Sequence, residues 1–340
     1  MRVSIIVACR NERADIRAFL DSIEAQETGD LEWEAIFADG MSEDGTREFL
    51  DSYCAGRPRM RVLANPGRIV STGLNAAIRA ARGEVVLRMD VRSAYAPDYV
   101  RQCVATLART GADNVGGPAR TRAEGVRARA IAAAFHSKFS TGGARFHDVN
   151  YEGWVDTVPF GCWRRETLER LGGFDESLVR NQDDELNLRL VRAGGRIWQS
   201  PAIRCWYTPR ATLGALFRQY MQYGFWKVAV IRKHRVPGSW RHLAPIVFLA
   251  TNAALAVAAG LAAAMGARGW LEAAAAAWPA LAGAYAAAVA VASLAAARRA
   301  GWATLPYLPV AFVTFHVAYG LGFAAALLGI AAPAFTRVSR

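Results

Sequence analysis

The C-terminal part of the chain contains three long stretches without a single charged side chain, at 243–267, 273–297 and 300–336. A helix of about 25 residues is roughly 37 Å long, which exceeds the roughly 30 Å hydrocarbon core of a bilayer. A soluble helix of this length would show a polar stripe along one face, and these stretches have none. The sequence therefore predicts about three transmembrane helices within 243–332, with alanine-rich core helices of a soluble domain as the alternative.

Basic residues flank these stretches unevenly. They are Arg232, Lys233, Arg235 and Arg241 before the first stretch, and Arg298 and Arg299 between the second and third. Because Lys and Arg favour the cytoplasmic side, this bias predicts a multi-pass protein of the inner (cytoplasmic) membrane with a cytoplasmic N-terminal domain. The third stretch contains Pro306 and Pro309 and could form one span or a bent hairpin. With three spans, Arg337 and Arg340 would lie on the non-cytoplasmic side, which disagrees with the preference of basic residues for the cytoplasmic side.

Short β-rich runs alternate with helical patterns in the first 210 residues. The runs lie at 3–8, 33–39, 60–64 and 84–90, and the helical patterns that follow them lie near 13–26, 44–54, 71–81 and 97–109. This alternation predicts an α/β fold with a mostly parallel sheet covered by helices on both faces. Ligands of such sheets bind at the carboxyl ends of the strands, so the residues there are the candidates for a site.

Three of these strand ends carry acids, namely Glu12, Asp39 and Asp90. No GxGxxG and no GxxxxGK[ST] motif follows a strand, which argues against a dinucleotide oxidoreductase and a P-loop nucleotidase. A phosphate bound here would be neutralised by a metal or by basic side chains. The excess of 41 Lys and Arg over 29 Asp and Glu suits anionic lipid headgroups and phosphorylated substrates. No basic run with interleaved aromatics occurs, so no nucleic-acid partner is expected.

Four segments occur in the order SIIVACRNE, FADGMSEDGT, VVLRMDVRSAY and NQDDELNLRLVRAGG, and the charge-free tail follows them. Together they resemble the glycosyltransferase family 2 enzymes. The resemblance is close over about residues 3–235, and the tail is similar only in being long and apolar. The segments DTVPFGCWRRE and YTPRATLGALFRQYMQYGFWK are similar to those of the ExoA-like membrane glycosyltransferases of succinoglycan biosynthesis. The resemblance implies a GT-A fold, a nucleoside-diphosphate sugar as donor, usually with uridine, and inversion at the anomeric carbon.

The resemblance places Ala8, Glu12 and Asp39 around the uracil and ribose of the donor. Carboxylates at strand ends can accept hydrogen bonds from an imide N–H and from ribose hydroxyls. The alternative is that Asp39, together with Ser42, only caps the helix that follows.

Asp90 matches the first Asp of the family's DxD motif, which faces the ribose and the diphosphate-bound metal. The second Asp is Arg92 here, and a guanidinium has no lone pair to offer a metal. The favoured interpretation is that Mg²⁺ or Mn²⁺ is still bound by Asp90, the diphosphate and water. In the second interpretation Arg92 binds the leaving diphosphate and does part of the metal's work. In the third, Arg92 is a surface residue that pairs with Asp98.

A second group of acids lies at a predicted helix start. Asp183 matches the family's catalytic base, Gln182 stands where the family has Glu, and Asp184 is a neighbouring candidate. A base is needed because the acceptor hydroxyl must lose its proton as it attacks. An acidic helix cap is the alternative, since the helix dipole favours anions there.

Two further segments are assigned to the acceptor and the membrane. Gly161 would let a sugar approach the backbone, and Trp154 could stack on a sugar ring, although aromatic side chains here could equally belong to the core. The segment 213–228 predicts an amphipathic helix lying on the membrane, with Phe217 on the apolar face and Gln222 on the polar face.

Processive relatives carry a QxxRW motif in this helix. This chain has Gln222 and Trp226, but Phe225 replaces the arginine that would hold the diphosphate. Lys227 or Arg210 could substitute for it. The altered motif predicts an enzyme that adds one sugar per encounter.

The sequence thus predicts a GT-A domain at 1–210, an amphipathic interface helix with a basic linker at 211–242, and transmembrane helices at 243–332. The protein would transfer a hexose, with glucose favoured, from a UDP-sugar to a polyprenyl-diphosphate-linked saccharide in exopolysaccharide or other surface-glycan synthesis. One alternative is a polyprenyl-phosphate glycosyltransferase, which would need little help from a base. The other is a catalytically degenerate, nucleotide-sugar-binding membrane scaffold.

Overall fold

The computed structural model describes residues 1–265 and 269–330, with only the backbone of Leu271. The tail cations Arg268, Arg337 and Arg340 lie outside the described residues. The chain divides into two compact units. The first comprises 1–122 and 144–208, and the second comprises 123–143 and, among the residues described, 209–330.

A mixed sheet forms the centre of the first unit. The strands of this unit are β1 (Arg2–Cys9), β2 (Glu32–Asp39), β3 (Met60–Ala64), β4 (Val85–Arg88), β5 (Ser93–Tyr95), β6 (Asn114–Gly116), β7 (Gly153–Val155), β8 (Cys162–Arg164), β9 (Ile197–Gln199) and β10 (Cys205–Tyr207). Within the described residues, eight strands form one sheet in the order β3-β2-β1-β4-β8-β6-β9-β7, and β10 pairs with β5. Strands β1 to β4 are parallel, as are β6 and β9, whereas β7 and β8 run antiparallel to their neighbours.

Helices cover this sheet and build the second unit. In chain order they are α1 (Ile16–Glu24), α2 (Thr46–Cys54), α3 (Val70–Ala80), α4 (Tyr99–Thr110), α5 (Val126–Phe135), α6 (Lys138–Thr141), α7 (Arg165–Leu171), α8 (Gln182–Arg192), α9 (Leu213–His234), α10 (Ala244–Met265), α11 (Trp270–Ala300) and α12 (Leu308–Leu327). Helices α1 to α4, α7 and α8 belong to the first unit, and the others belong to the second.

Alternation along β1 explains why both faces of the sheet are covered. Val3, Ile5 and Val7 are buried in one hydrophobic cluster, whereas Ile6 is buried in another. Successive side chains of a strand point to opposite faces, so a run that is apolar at every position requires helices on both sides. The predicted α/β architecture with a mostly parallel sheet is confirmed, and β4 ends at Arg88, two residues before the predicted end.

The second unit includes a segment from the middle of the chain. Helices α5 and α6 fall within the range predicted for the first domain, yet they pack with the C-terminal helices. Ala130 and Ile131 of α5 share a hydrophobic cluster with Ala297 and Phe312. His316 of α12 adds a polar link, since its Nδ1 lies 2.9 Å from the Tyr285 hydroxyl and its Nε2 lies 2.9 Å from the carbonyl oxygen of Phe139.

Three helices among the described residues are long and apolar enough to cross a membrane. They are Ala244–Met265, Glu272–Ala300 and Leu308–Leu327. Each overlaps one of the charge-free stretches. In the described part of the third stretch one long helix forms, α12, and Pro309 lies in its first turn, where its missing N–H costs no hydrogen bond.

Helix α9 packs closely along α12, and this contact depends on glycine. A Cβ at Gly224 would lie 2.0 Å from the carbonyl oxygen of Tyr319, and one at Gly322 would lie 2.0 Å from that of Met221. Gln222, expected on the polar face, is buried, and Phe217, expected on the apolar face, is 36% exposed. The predicted position of α9 on the membrane stays a prediction.

We predict that Gly322→Ala lowers the thermal stability of the detergent-solubilised protein, because the added methyl group would collide with backbone of α9. Overpacking of this kind costs about 1–3 kcal/mol. Gly260→Ala is the matched control, since a Cβ at Gly260 of α10 would have no atom within 4 Å. Equal melting temperatures for the two variants would contradict the close α9–α12 contact.

Candidate functional site

The acids predicted at the strand ends lie on adjacent parallel strands. Strand β1 pairs with β2 on one side and with β4 on the other. Cys9 at the end of β1 is in register with Asp39 at the end of β2, and Ala8 with Ala38. Because the carboxyl ends of parallel strands meet at one edge of a sheet, Glu12, Asp39 and Asp90 lie along the same edge.

Asp39 is buried and tied to the loop that follows β2. Its carboxylate accepts hydrogen bonds from the backbone N–H of Ser42 at 3.1 Å and from the Ser42 hydroxyl at 2.5 Å. The same hydroxyl accepts from the N–H of Asn11 at 2.9 Å, which fastens this loop to the one after β1. Asp39 therefore has at least a structural role in loop geometry. Its predicted role in nucleoside binding stays a prediction, as does that of Ala8.

Glu12 and Arg92 form an ion pair between the ends of β1 and β4. Nε and Nη2 of Arg92 donate to the same oxygen of Glu12, at 2.9 and 2.8 Å. The Glu12 side chain is 11% exposed and that of Arg92 is 50% exposed. Burial raises the pKa of Glu12, although the bond from Arg92 acts in the opposite direction. The alternative pairing of Arg92 with Asp98 is wrong, because Asp98 accepts from Arg204 at 3.2 Å.

Asp90 is held by a buried arginine that the sequence interpretation missed. Nε and Nη2 of Arg88 donate to the two carboxylate oxygens of Asp90, both at 2.9 Å. The Arg88 side chain is 6% exposed and that of Asp90 is 35% exposed. A backbone bond completes the arrangement, as the N–H of Asp90 donates to the Tyr95 hydroxyl at 2.7 Å. The sequence did contain a signal for this role, because Arg88 is a charged residue inside the apolar run VVLRMD.

Arg88 also links Asp90 electrostatically to Asp183. Burial acts to lower the pKa of the Arg88 guanidinium, but the carboxylates of Asp90 and Asp183 together raise it above its ordinary value. Opposite charges shift a pKa strongly only at short range. Asp183, in the first turn of α8, therefore lies within electrostatic range of Arg88, although the two residues are far apart in the sequence.

A buried amide network explains how α8 reaches this position. Asn187, one turn after Asp183, donates to the Thr157 hydroxyl at 2.8 Å and accepts from Nδ2 of Asn114 at 2.9 Å. Residues four apart lie on the same face of a helix, so these bonds direct Asp183 toward the same side as Asn187. Asp183 also accepts from the backbone N–H of Asp184 at 3.0 Å.

Glu185 has a different role from its two acidic neighbours. It is buried and pairs with Arg189, whose Nη2 lies 2.7 Å from its Oε2. The i,i+4 spacing of the two residues favours such a pair. Of the three consecutive acids, Asp183 and Asp184 thus remain the candidates for a base.

The residues around position 161 allow only a glycine there. Its φ of +102° lies in the left-handed region, and a Cβ would come within 2.3 Å of Cζ2 of Trp163. The preceding Phe160 has a φ of +60°, and its ring centre lies 5.9 Å from the Arg88 guanidinium. The loop therefore borders the Arg88–Asp90 pair, and acceptor binding at Gly161 stays a prediction.

Trp154 is not brought to the Asp90 cluster. It lies on β7, the outermost strand, four strand spacings or about 19 Å from β4. Its ring packs edge-on against Trp198 at 4.8 Å and beneath the guanidinium of Arg196 at 4.2 Å. A contact with the acceptor would have to occur at this rim. Trp163, which follows the loop at Gly161, is buried in the core.

The four residues predicted for the diphosphate and the interface belong to the second unit. Arg210 precedes α9, and Gln222, Trp226 and Lys227 lie on that helix. Gln222 and Lys227 are buried. Their predicted role stays a prediction.

The side chains at the end of β4 do not fit a divalent cation held by the protein. Both oxygens of Asp90 already accept from a buried cation, and the position of the second acid is Arg92. Among the described residues, no cluster of three His, Cys, Asp or Glu side chains could hold a metal. The predicted Asp90 metal site is therefore not supported by the donor set.

The chain is similar in sequence to known proteins. The sequence profile described as "Glycosyl transferase family 2" matches residues 4–172. The succinoglycan biosynthesis protein ExoA of Rhizobium meliloti (strain 1021) is 34% identical over 257 residues, which cover 74% of this chain and 78% of that protein.

A more distant relative and a solved structure extend the comparison. The dolichyl N-acetyl-alpha-D-glucosaminyl phosphate 3-beta-D-2,3-diacetamido-2,3-dideoxy-beta-D-glucuronosyltransferase of Methanococcus voltae is 24% identical over 239 residues, 68% of this chain and 74% of that protein. The mannosyltransferase PcManGT from Pyrobaculum calidifontis, solved with GDP-Man and Mn²⁺, has a TM-score of 0.60 at 23% identity over 92% of this chain and 86% of that chain. The fold is thus GT-A, and the chain belongs to glycosyltransferase family 2.

Proposed function

We propose that this protein is an inverting, nucleotide-sugar-dependent glycosyltransferase in which Asp183 is the catalytic base. The observation that carries the proposal is the buried Arg88, which donates two 2.9 Å hydrogen bonds to Asp90 at the end of β4 and lies within electrostatic range of Asp183. A donor-side carboxylate and a candidate base thus share one buried counterion. Titratable groups grouped in this way are characteristic of functional sites.

The donor would be a UDP-hexose, most simply UDP-glucose, bound at the ends of β1, β2 and β4. Glu12, Asp39 and Asp90 offer carboxylates along that edge, where open α/β sheets bind their ligands. Carboxylates accept hydrogen bonds from ribose hydroxyls and from the uracil imide. The membership of family 2 supports a sugar donor of this class.

The chemistry would need one base. Asp183 would take the proton of an acceptor hydroxyl as that oxygen attacks the anomeric carbon from the face opposite the diphosphate. A single displacement inverts the configuration and needs no second carboxylate as nucleophile. The first turn of α8 suits an ionised base, because the helix dipole favours a negative charge there.

The acceptor would be a polyprenyl-diphosphate-linked saccharide at the cytoplasmic face of the inner membrane. Three candidate spans and a second unit whose acids, in the part described, are only Glu124 and Glu272 support a site near anionic headgroups. The names of two relatives, one from succinoglycan biosynthesis and one acting on a dolichyl-linked sugar phosphate, support a lipid-linked glycan. Phe225, in place of the motif arginine, supports the addition of one sugar per encounter.

We predict that Asp183→Asn lowers the rate of sugar transfer by about 10²–10⁴-fold, since that is the usual contribution of a positioned base. Binding of UDP, measured by calorimetry on the full chain in detergent, should change little. Glu166→Gln is the matched control, because it removes one charge from the first turn of another helix, α7, where the side chain is exposed.

Asp184→Asn distinguishes the two adjacent candidates for the base. A normal rate in Asp183→Asn with loss of transfer in Asp184→Asn would transfer the assignment to Asp184. Near-normal rates in both variants would contradict base catalysis from α8.

We also predict that a panel of nucleotide sugars, incubated with the protein and lipid extracts, yields one new lipid-linked product that contains an added hexose from the UDP-sugar. Mass spectrometry of the extracts reads out both the sugar and the lipid. A product on polyprenyl phosphate itself, formed at an Asp183-independent rate, would favour the polyprenyl-phosphate transferase. Absence of hydrolysis and transfer with every donor would favour the non-catalytic scaffold.

A further inference from the structure

The position of the second DxD acid is occupied by an arginine that is already oriented for binding. Arg92 uses Nε and one hydrogen of Nη2 to hold Glu12, and among the described residues its Nη1 has no hydrogen-bond partner. A guanidinium has five N–H donors in a fixed plane, so donors remain after the pair with Glu12 is made. The side chain is half exposed, which leaves those donors accessible.

We propose that Arg92, fixed by Glu12, neutralises the leaving diphosphate in place of a protein-bound divalent cation. This inference rests on the proposed transferase function and specifies how its leaving group is stabilised. Arginine suits the task because its fork matches two phosphate oxygens and because it remains charged at every physiological pH.

Glu12 makes Arg92 a pre-oriented donor. The Glu12 side chain is largely buried, and its N–H is fixed by the Thr46 hydroxyl at 2.9 Å. A carboxylate held in this way restricts the rotamers of the arginine, so little entropy is lost when the diphosphate binds. Fixed cations aimed at developing charge are among the strongest contributors to catalysis.

The Arg88–Asp90 pair explains why a metal is disfavoured at the same place. Coordination by Asp90 would compete with two 2.9 Å bonds from a guanidinium that is itself buried. Removing either partner of a buried ion pair is costly, and a second cation close to Arg88 would be repelled. Asp90 is thereby committed to Arg88, and the charge that faces the diphosphate is that of Arg92.

The reaction balances without a cofactor. The bond between the anomeric carbon and the diphosphate oxygen breaks, and its electron pair remains on the diphosphate. The acceptor oxygen forms the new bond to the anomeric carbon and gives its proton to Asp183. The additional negative charge on the nucleoside diphosphate is offset by the Arg92 guanidinium.

The first test measures the binding of UDP and UMP to the full chain in detergent, with excess EDTA and then with Mn²⁺ or Mg²⁺. We expect wild-type affinity for UDP to remain within about twofold under all conditions. Arg92→Gln should lower the affinity for UDP by about tenfold or more and leave the affinity for UMP within about twofold of wild type, because UMP lacks the terminal phosphate. Arg92→Lys keeps the charge and loses the fork, so its affinity for UDP should lie between those of wild type and Arg92→Gln.

Arg2→Gln is the matched control for this test. Arg2 donates through Nε and Nη2 to one oxygen of Glu32, at 3.2 and 2.9 Å, and its side chain is 48% exposed. This pair has the same geometry as Arg92–Glu12 but lies at the opposite end of β1. Removing it should leave UDP and UMP binding unchanged, and thermal unfolding of both variants verifies that each is folded.

A gain of metal dependence provides the second test. With UDP-glucose and a lipid-linked acceptor, wild-type transfer should persist in EDTA, whereas Arg92→Asp should be slow in EDTA and accelerated by Mn²⁺. Loss of wild-type transfer or UDP binding in EDTA, with recovery on adding Mn²⁺, would overturn the proposal and leave the transferase intact. Intact UDP binding without transfer from any donor would contradict the proposed function and not the assignment of Arg92.

Discussion

The buried guanidinium of Arg88 is the interaction on which the candidate site depends. A charge buried in a protein is tolerated only when it is paired, and Arg88 is paired through two hydrogen bonds with Asp90 and through space with Asp183. Nη1 of Arg88 is buried and has no hydrogen-bond partner in the part of the chain that the structure describes. The guanidinium therefore depends on the charges of these carboxylates, and they must remain close to it.

The backbone around this ion pair is fixed from several directions. The Tyr95 hydroxyl holds the N–H of Asp90, and Asn187 fastens α8 to the loop that contains Gly161. The loops after β1 and β2 are joined through Asn11 and Ser42. Side chains that are locked by packing and by hydrogen bonds can hold a reacting group within the narrow tolerances that catalysis needs. The three acidic strand ends and the first turn of α8 thus belong to one rigid framework within the first unit.

The sequence was sufficient to predict the first four strands and the α/β architecture, but not the partners of the candidate residues. Short apolar runs predicted β1 to β4, because hydrophobic periodicity is a local property. The pairing of Arg92 with Glu12, 80 residues away, could not be derived from spacing, and the nearby Asp98 was a misleading alternative. The close contact of α9 with α12 through Gly224 and Gly322 could not be derived from the polarity pattern of the helix either.

The most direct test of the account is an experimental structure of the full chain with UDP and an acceptor analogue. The account predicts that a carboxylate oxygen of Asp183 lies within about 3 Å of the reacting hydroxyl, on the face of the sugar opposite the diphosphate. It also predicts that the Arg88–Asp90 pair remains intact when UDP and the acceptor analogue are bound. A structure in which Asp183 is turned to bulk solvent, or lies more than a sugar's width from the anomeric carbon, would contradict the assignment of these residues to a single active site.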